Sequence, residues 1–296
     1  MSTTPKVALV TGATQGLGLA LVEGLARRMT PDDTVYLTGR DAARVAEAAA
    51  AMPATGARVR GELLDVADPQ AAAELAGLLR ERHGGVDVVA GNAVMRVGPD
   101  DDMRALIDAY TEVNNFGTTR LLRAFAPLVR DGGRLLVVGS SLGTLHHLAP
   151  VLHDRFDGLT SLEEVDAQVA AWRDAVKDGS ARAQSWPGFV NIPSKVWQVA
   201  AVRALAGQRR EEDARRGILL AAVCPGMINT PTSGLWWDVS GAPTPEQAAV
   251  PLLDLALGPV DPGHYGELVR FGRVLPWRPE WRPEWRPERR PERAAS

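Results

Sequence analysis

The stretch that decides the fold is Thr11-Gly12-Ala13-Thr14-Gln15-Gly16-Leu17-Gly18, near the start of the 296-residue chain. It follows the apolar run 7–10, which is typical of a buried strand. It leads into residues 17–28, whose apolar side chains recur at helical spacing. Glycines between a strand and a helix bring free backbone N–H groups and the positive end of the helix dipole to one place. The stretch therefore predicts a binding site for the phosphates of a nucleotide.

Apolar runs of strand type alternate with helical stretches along the rest of the chain. We predict further strands at 35–38, 58–64, 86–90, 135–138, 218–223 and 264–271, and helices at 41–52, 69–82, 103–129, 161–177, 196–216 and 246–257. This alternation favours an α/β fold with a parallel sheet and right-handed crossovers. In such a sheet a ligand binds across the carboxyl ends of the strands, where the strand order reverses.

Two segments interrupt the alternation. Residues 144–187 show no strand pattern and only one helical stretch, which indicates an insertion between the fifth strand and the next long helix. The motif Trp-Arg-Pro-Glu then repeats from residue 277 onward. Regularly spaced proline opposes helix and central strand, so we predict an extended, mostly disordered tail over 277–296. This tail is either a product of repeat slippage or a peptide that docks on a partner.

The composition excludes several classes of function. A hydrophobic content of 45% supports a sizeable core, and a net charge of −3 implies no general attraction to nucleic acid or to an anionic membrane. The single cysteine, Cys224, allows no internal disulfide and no cysteine-based metal site. No apolar run reaches membrane-spanning length, and the first strand begins too early for a signal peptide. We therefore expect a cytoplasmic protein without a metal.

The Gly-rich turn resembles that of the short-chain dehydrogenase/reductase family, which has the pattern T-G-x-x-x-G-x-G after its first strand. The similarity extends from about residue 5 to residue 273. It implies a Rossmann-type, doubly wound parallel sheet in a single domain over 1–276, with a helical insertion before the active-site helix. The resemblance also implies that the cofactor is held at this turn by Gly12, Thr14, Gln15, Gly16, Leu17 and Gly18.

Two arginines follow the second predicted strand and indicate the type of cofactor. Nucleotide folds commonly place an acidic residue there to bind the ribose 2′-OH. This chain has Arg40 at that point and Arg44 one helical turn later. A guanidinium forms charge-assisted bonds to a 2′-phosphate, so we predict NADP(H) rather than NAD. The alternative is that Asp41 pairs with either arginine at a solvated helix N-terminus.

Further cofactor contacts follow from the resemblance alone. They lie after the third, fourth and sixth strands, at Asp65, Val66, Asn92, Pro225, Gly226, Ile228 and Thr230. Asp65 matches the position that contacts adenine, and the loop from Pro225 to Thr230 matches the one that holds the nicotinamide amide. The family usually has glycine where this chain has Val94.

The catalytic positions of the family are kept with one exception. Ser140 has the family form S-x-x-G, which implies a hydroxyl that bonds to a substrate carbonyl oxygen. Asn114 matches the helix residue that anchors a proton-relay water, which we expect to bind to a freed helix carbonyl. Lys195 matches the catalytic lysine of the family, which implies that it also contacts the cofactor. Asn191 stands where the family has tyrosine. Residues four apart share a helix face, so the family's lysine lies beside its tyrosine and lowers the pKa of the phenol. The amide of Asn191 can only form hydrogen bonds.

Other side chains are candidates to replace the missing phenol. We expect Tyr36 in the core, Tyr110 facing away from the site and Tyr265 near enough to approach it. Three histidines of the insertion, which follows Ser140, are further candidates for the acid but form no recognised metal motif: His146, His147 and His153.

Loop aromatics point to the type of substrate. Trp236 and Trp237 on this loop indicate an apolar or aromatic substrate, and we expect Ser141 to contact that substrate too. The alternative is that the two tryptophans only pack against neighbouring residues. Within the family the insertion and the pair Trp186-Pro187 resemble the monomeric carbonyl reductases. This implies a monomer that reduces a small-molecule ketone, aldehyde or quinone, polycyclic compounds included. Two alternatives remain: non-redox chemistry such as cyclisation, dehydration or isomerisation, and a non-catalytic NADP-binding protein.

Overall fold

A central sheet carries the fold. The computed structural model describes residues 4–52 and 56–278. The strands are β1 Val7–Val10, β2 Thr34–Gly39, β3 Arg58–Leu63, β4 Val86–Gly91, β5 Val129–Val138, β6 Leu219–Cys224, β7 Leu268–Arg270 and β8 Arg273–Leu275. Their order is β3-β2-β1-β4-β5-β6-β7-β8, and every neighbouring pair is parallel except β7 and β8. The predicted α/β fold with a parallel sheet is confirmed, and the strand order reverses between β1 and β4.

Helices cover the sheet and connect its strands. They are α1 Gly16–Arg28, α2 Ala42–Ala50, α3 Ala71–His83, α4 Met103–Thr111, α5 Gly117–Phe125, α6 Leu162–Asp178, α7 Asn191–Arg216, α8 Pro231–Gly234 and α9 Pro245–Leu257. Helix α1 packs on α9, while α3, α5 and α7 pack side by side. Within the part of the chain that the structure describes, no helix has the length and apolarity needed to cross a bilayer.

The inner strands are buried on both faces. Every residue of β1, β2 and β6 is buried, because helices cover both sides of the sheet. Such strands read as continuous apolar runs rather than as alternating ones, which is why the sequence pattern located them well. Tyr36 in β2 is fully buried, and its hydroxyl lies 2.8 Å from Nε2 of His83, so the prediction that it belongs to the core is confirmed.

The prediction of one continuous helix over 103–129 is wrong, because this range contains two helices separated by a turn. Helix α4 is followed by a π-helical turn, Glu112–Phe116, and then by α5. The apolar pattern runs through all three and does not reveal the turn. Strand β5 begins at Val129 and not at residue 135, because Gly132, with a φ of 73°, and Gly133 interrupt the apolar pattern of its first half.

The helix predicted at 161–177 is present, and the long helix that follows it begins earlier than predicted. Ser161 caps α6 through a capping box with Glu164, and the helix covers nearly the predicted range. Helix α7 begins at Asn191 rather than at residue 196. Pro193 lies in its first turn, where a missing N–H group costs no helical hydrogen bond.

The start of the predicted tail is packed on the insertion. The carbonyl of Trp277 accepts a hydrogen bond from the N–H of Leu145 at 3.0 Å. Its ring lies 6.0 Å from that of Phe156, and Arg278 pairs with Asp157. The first two residues of the predicted tail, 277 and 278, therefore contact the insertion. The remainder of the predicted tail, 279–296, lies outside the described residues.

Two glycines of the first turn provide a matched stability test. Gly12 and Gly16 both have positive φ, 60° and 56°. A Cβ at Gly12 would also lie 2.7 Å from Cα of Ala93, whereas one at Gly16 would meet nothing within 4 Å. Overpacking of this kind costs about 1–3 kcal/mol. We therefore expect Gly12→Ala to lower the free energy of unfolding by about that much more than Gly16→Ala.

Denaturant unfolding of the two variants measures this difference. Because both substitutions share the cost of a left-handed backbone, the comparison isolates the contact between the turn and Ala93. Equal losses of unfolding free energy in the two variants would contradict that close approach.

Candidate active site

The carboxyl ends of the central strands open into a cavity of about 370 Å³. Its wall brings together the four predicted catalytic residues, Asn114, Ser140, Asn191 and Lys195. It also contains the three predicted substrate contacts, Ser141, Trp236 and Trp237. Six of the predicted cofactor contacts line it as well: Leu17, Asn92, Pro225, Gly226, Ile228 and Thr230. The parallel-sheet rule thus located the cavity correctly.

Hydrogen bonds join the turn after β1 to the loop after β4. Oγ1 of Thr11 accepts from the N–H groups of Asn92 and Ala93, both at 2.9 Å. Nδ2 of Asn92 donates in return to the carbonyls of Thr11 and Gly12 at 3.0 and 3.1 Å. A Cβ at Gly18 would lie 2.5 Å from the Gly12 oxygen, so glycine is needed there. Asn92 therefore holds the turn in shape.

Positive charge gathers beside this turn. A guanidinium nitrogen of Arg44 donates to Oε1 of Gln15 at 2.7 Å. Asp41 is occupied as the N-cap of α2, where its carboxylate accepts from the N–H groups of Ala43 and Arg44. Within the described ranges, neither Arg40 nor Arg44 forms an ion pair with a carboxylate. The alternative in which Asp41 neutralises them is not supported, and the donor set fits a phosphate.

The remaining predicted cofactor contacts lie outside the cavity. Thr14, Arg40 and Asp65 follow β1, β2 and β3 in turn, so they share the carboxyl edge of the sheet. Oδ1 of Asp65 accepts from the N–H of Ala67 at 3.0 Å, and the buried Val66 lies against Gly117. The predicted cofactor groove would thus run from the cavity along the edge formed by β1, β2 and β3.

Helix α7 presents Asn191 and Lys195 to the cavity one turn apart. Nζ of Lys195 donates to the carbonyl of Val138 at 3.1 Å. Burial lowers the pKa of Lys195 to about 8; the nearby Arg96 also lowers it, and Cys224 acts in the opposite direction. Oγ of Ser140 accepts from the N–H of Leu142 at 3.2 Å, which leaves its own proton available to a ligand.

Tyr110 faces the site, so the prediction that it faces away is wrong. Its side chain is 2% exposed and lines the cavity, and its hydroxyl donates to Oδ1 of Asn191 at 3.3 Å. Burial raises the pKa of Tyr110 to about 12, against the opposing effect of its contacts with Ser194 and Asn114. It is therefore a neutral phenol at physiological pH. The four-residue spacing from Asn114 places both on one helix face and was the signal that could have located it.

Asn114 holds the loop after β4. Its Oδ1 accepts from the N–H of Met95 at 2.7 Å, and its Nδ2 donates to the Met95 carbonyl at 3.0 Å. Its own carbonyl accepts from Oγ1 of Thr118 and Nε2 of Gln198, both at 2.8 Å. The expectation that this carbonyl is free for a relay water is wrong, because both of its lone pairs already have partners.

The other candidates for the missing phenol lie away from the cavity wall. The hydroxyl of Tyr265 donates to Oδ2 of the buried Asp213 at 2.7 Å. Nε2 of His153 lies 3.0 Å from the carbonyl of Leu145, and neither His146 nor His147 lines the cavity. Across residues 4–52 and 56–278, no group of three His, Cys, Asp or Glu side chains could hold a metal ion.

Aromatic side chains form one wall of the cavity that contains the predicted catalytic residues. Nε1 of Trp236 donates to the carbonyl of Val97 at 2.9 Å, and its ring lies 4.7 Å from that of Phe189 and 6.2 Å from that of Trp237. Trp236 therefore both packs locally and lines the cavity. Sequence analysis missed Phe189 and also Arg96, although Arg96 closely follows the carboxyl end of β4, where ligand contacts are expected.

Comparisons with known proteins agree with this geometry. The family model described as short chain dehydrogenase matches residues 6–149. Carbonyl reductase (NADPH) 1 of Sus scrofa is 33% identical over 94% of this chain and 96% of that protein. Salutaridine reductase from Papaver somniferum is 22% identical, with a TM-score of 0.74 over 89% of this chain and 99% of that one. Menthone neomenthol reductase from Mentha piperita is also 22% identical, with a TM-score of 0.71 over 92% of this chain and 100% of that one.

The predicted family is therefore confirmed by a sequence relationship that spans nearly the whole chain. The eight-stranded sheet has the Rossmann-type architecture implied by the resemblance. The chain belongs to the short-chain dehydrogenase/reductase family of oxidoreductases, and its relatives include carbonyl reductases.

Proposed function

We propose that this protein uses NADPH to reduce a ketone, aldehyde or quinone group on a small apolar or aromatic molecule. The observation that carries the proposal is the meeting of Ser140, Asn191 and Lys195 in one cavity beside the Gly-rich turn. The aromatic wall formed by Phe189, Trp236 and Trp237 suits the apolar body of such a substrate. The name of the porcine relative, which specifies NADPH and carbonyl reduction, supports the same reaction.

The residues along the sheet edge suit NADPH better than NADH. Arg40 and Arg44 would hold its 2′-phosphate, since no described carboxylate neutralises them. The open space beside Gly16 would admit the pyrophosphate at the N-terminus of α1. The loop after β6, with Thr230 bonded to Ser233 at 2.9 Å, would hold the nicotinamide amide. When bound, NADPH supplies the hydride.

Two side chains of the cavity donate to the carbonyl oxygen that becomes negative during the reaction. Ser140 contributes its hydroxyl proton. Asn191 contributes Nδ2, because its Oδ1 is held by the hydroxyl of Tyr110. An amide held in this way is a preoriented donor, and each donor of this kind stabilises the transition state by about 3–4 kcal/mol. Tyr110 is thus a positioning residue for Asn191.

Lys195 supplies the proton that the product alcohol needs. Asn191 has no acidic proton, and Tyr110 is engaged with Asn191 and has a raised pKa. The pKa of Lys195, lowered to about 8, leaves the ammonium protonated at neutral pH yet able to release its proton. Asn114 contributes by fixing the Met95 backbone, since its carbonyl already has two partners.

The direct test is NADPH oxidation, followed by absorbance, over a broad panel of ketones, aldehydes and quinones. Turnover of any of these compounds supports the proposal. Failure of the whole panel, with NADPH binding demonstrated, would overturn it.

The missing phenol beside a retained Ser140 and Lys195 favours a second candidate, non-redox chemistry in the same cavity. Product formation without net NADPH oxidation would identify that case.

We also propose that the protein is a monomer. Helix α6 of the insertion packs on α4 and α7, so the outer face of those two helices is covered by the chain itself and not left for a second copy. Sedimentation of the full chain tests this proposal, and a stable dimer would contradict it.

The choice of cofactor can be tested through the arginines after β2. We expect the double variant Arg40→Ala and Arg44→Ala to raise the Kd for NADPH by about 10- to 100-fold, the range expected for lost charge-assisted bonds. The Kd for NADH should change little, because NADH lacks the 2′-phosphate. Fluorescence titration measures both constants. Arg273→Ala, at an exposed site, is the control for loss of positive charge. Equal weakening for both cofactors would contradict the assignment.

The role of residue 191 can be tested by restoring the phenol. We expect Asn191→Tyr to raise kcat by about 10²–10⁴-fold, the usual contribution of a positioned general acid. Asn191→Phe is the matched control, since it adds the ring without the hydroxyl. Steady-state kinetics at saturating NADPH distinguish the two. A similar kcat in both variants would contradict the idea that a missing acid limits the rate.

The pH dependence of kcat reports on Lys195. The pKa of Lys195 is lowered to about 8, so its protonated form is lost as the pH rises through that value. We expect kcat to fall roughly tenfold per pH unit above this point, because only the ammonium can give a proton. Lys195→Met should lower kcat at all pH values and remove its decrease above pH 8. A wild-type profile that stays flat well above pH 8 would assign the proton to another source.

A further inference from the structure

The cavity carries positive charge with nothing to balance it. Arg96 and Lys195 line it, and the described residues of its wall include no aspartate or glutamate. The chain as a whole has a net charge of −3, so this local excess is not a general property of the surface. A low-dielectric pocket with one sign of charge attracts ligands of the opposite sign.

The backbone on both sides of Arg96 is held in place. Asn114 bonds to the N–H and the carbonyl of Met95 at 2.7 and 3.0 Å. Nε1 of Trp236 donates to the carbonyl of Val97 at 2.9 Å. Arg96 thus projects from a short segment fastened at each end, although it lies in a loop. The backbone at Arg96 is therefore already ordered, which lowers the entropy cost when its guanidinium binds a ligand.

The guanidinium of Arg96 has no partner within the described chain. No ion pair and no hydrogen bond joins it to a residue in 4–52 or 56–278. The Arg96 side chain is exposed at the edge of the cavity. Desolvation by the neighbouring wall lowers the pKa of Arg96, yet an arginine remains charged at any physiological pH. The other cation of the wall, Lys195, is bonded to the Val138 carbonyl. Of the two cations in the cavity wall, Arg96 is therefore the one without a hydrogen-bond partner among the described residues.

We propose that Arg96 binds a carboxylate on the substrate, so that the substrate is an oxo acid with an aromatic or apolar body. This rests on the proposed reductase function and names its substrate class. Arg96 lies in the same loop as Val97, whose carbonyl is bonded to Trp236 of the aromatic wall, and the reacting carbonyl meets Ser140 and Asn191. A planar carboxylate matches the paired donors of a guanidinium. The aromatic wall would contact the apolar body of the substrate, which lies between its carboxylate and its reacting carbonyl.

Matched acids and esters test the proposal. The probes are meta- and para-acetylbenzoate, each compared with its neutral methyl ester. We expect wild type to prefer the better-fitting acid over its ester by about 10- to 100-fold in kcat/KM, mainly through KM. Arg96→Met should abolish this preference, and Arg96→Lys should retain part of it. Arg273→Met, which removes an exposed arginine elsewhere, should leave the acid-to-ester ratio as in wild type.

A binding measurement separates this proposal from the proposed function. Quenching of tryptophan fluorescence, to which Trp236 and Trp237 of the cavity wall contribute, reports the affinity of the NADP complex for each acid, whether or not it is turned over. Acid that binds to wild type but not to Arg96→Met, without turnover, supports the anion site and counts against the reductase. If wild type reduces esters and acids equally well, the proposed carboxylate site at Arg96 is wrong, while the proposed reductase function remains supported. A raised Kd for NADPH in Arg96→Met, with the acid-to-ester ratio unchanged, would make Arg96 a cofactor contact and overturn the proposal.

Discussion

The whole site depends on the exchange of hydrogen bonds between Thr11 and Asn92. Strands β1 and β4 lie side by side where the strand order reverses, and their following segments form the floor of the cleft. The side chain of Thr11 is 1% exposed and accepts two N–H groups of the β4 loop, while Asn92 donates to two carbonyls of the Gly-rich turn. Each of these buried groups would cost about 1–3 kcal/mol if left unpaired. The two segments therefore cannot move independently.

A second constraint extends this junction to α7. The π-helical turn between α4 and α5 presents two adjacent asparagines to different neighbours. Asn114 holds Met95 of the β4 loop, and Asn115 exchanges bonds with Ser194, its Nδ2 donating to the Ser194 carbonyl at 3.0 Å and its Oδ1 accepting from Oγ at 3.1 Å. Ser194 precedes Lys195, so one short turn positions both the loop that carries Arg96 and the helix that carries the lysine. The π turn is thus part of the site.

The sequence predicted the sheet and the location of the cavity because both follow from simple periodicity. Buried parallel strands are continuous apolar runs, and a Gly-rich turn between strand and helix is a strong local signal. The strand β8, Arg273–Leu275, was missed because it is short and largely exposed. The π turn was missed because the apolar pattern of α4 and α5 continues through it. The packing of Trp277 depends on the distant residues Leu145 and Phe156, which no local pattern reveals.

In the proposed mechanism, different residues share the two roles that the resemblance assigns to the family's tyrosine. A phenol in the family position both donates to the carbonyl oxygen and delivers the proton. Here burial moves the pKa values of two cavity residues apart, that of Tyr110 up to about 12 and that of Lys195 down to about 8. In the proposed reaction, Tyr110 keeps its proton and donates a hydrogen bond to Oδ1 of Asn191, so that Nδ2 of the amide would act as the oriented donor. Lys195 would act as the acid, because the same burial favours its neutral amine and so makes its proton easier to release.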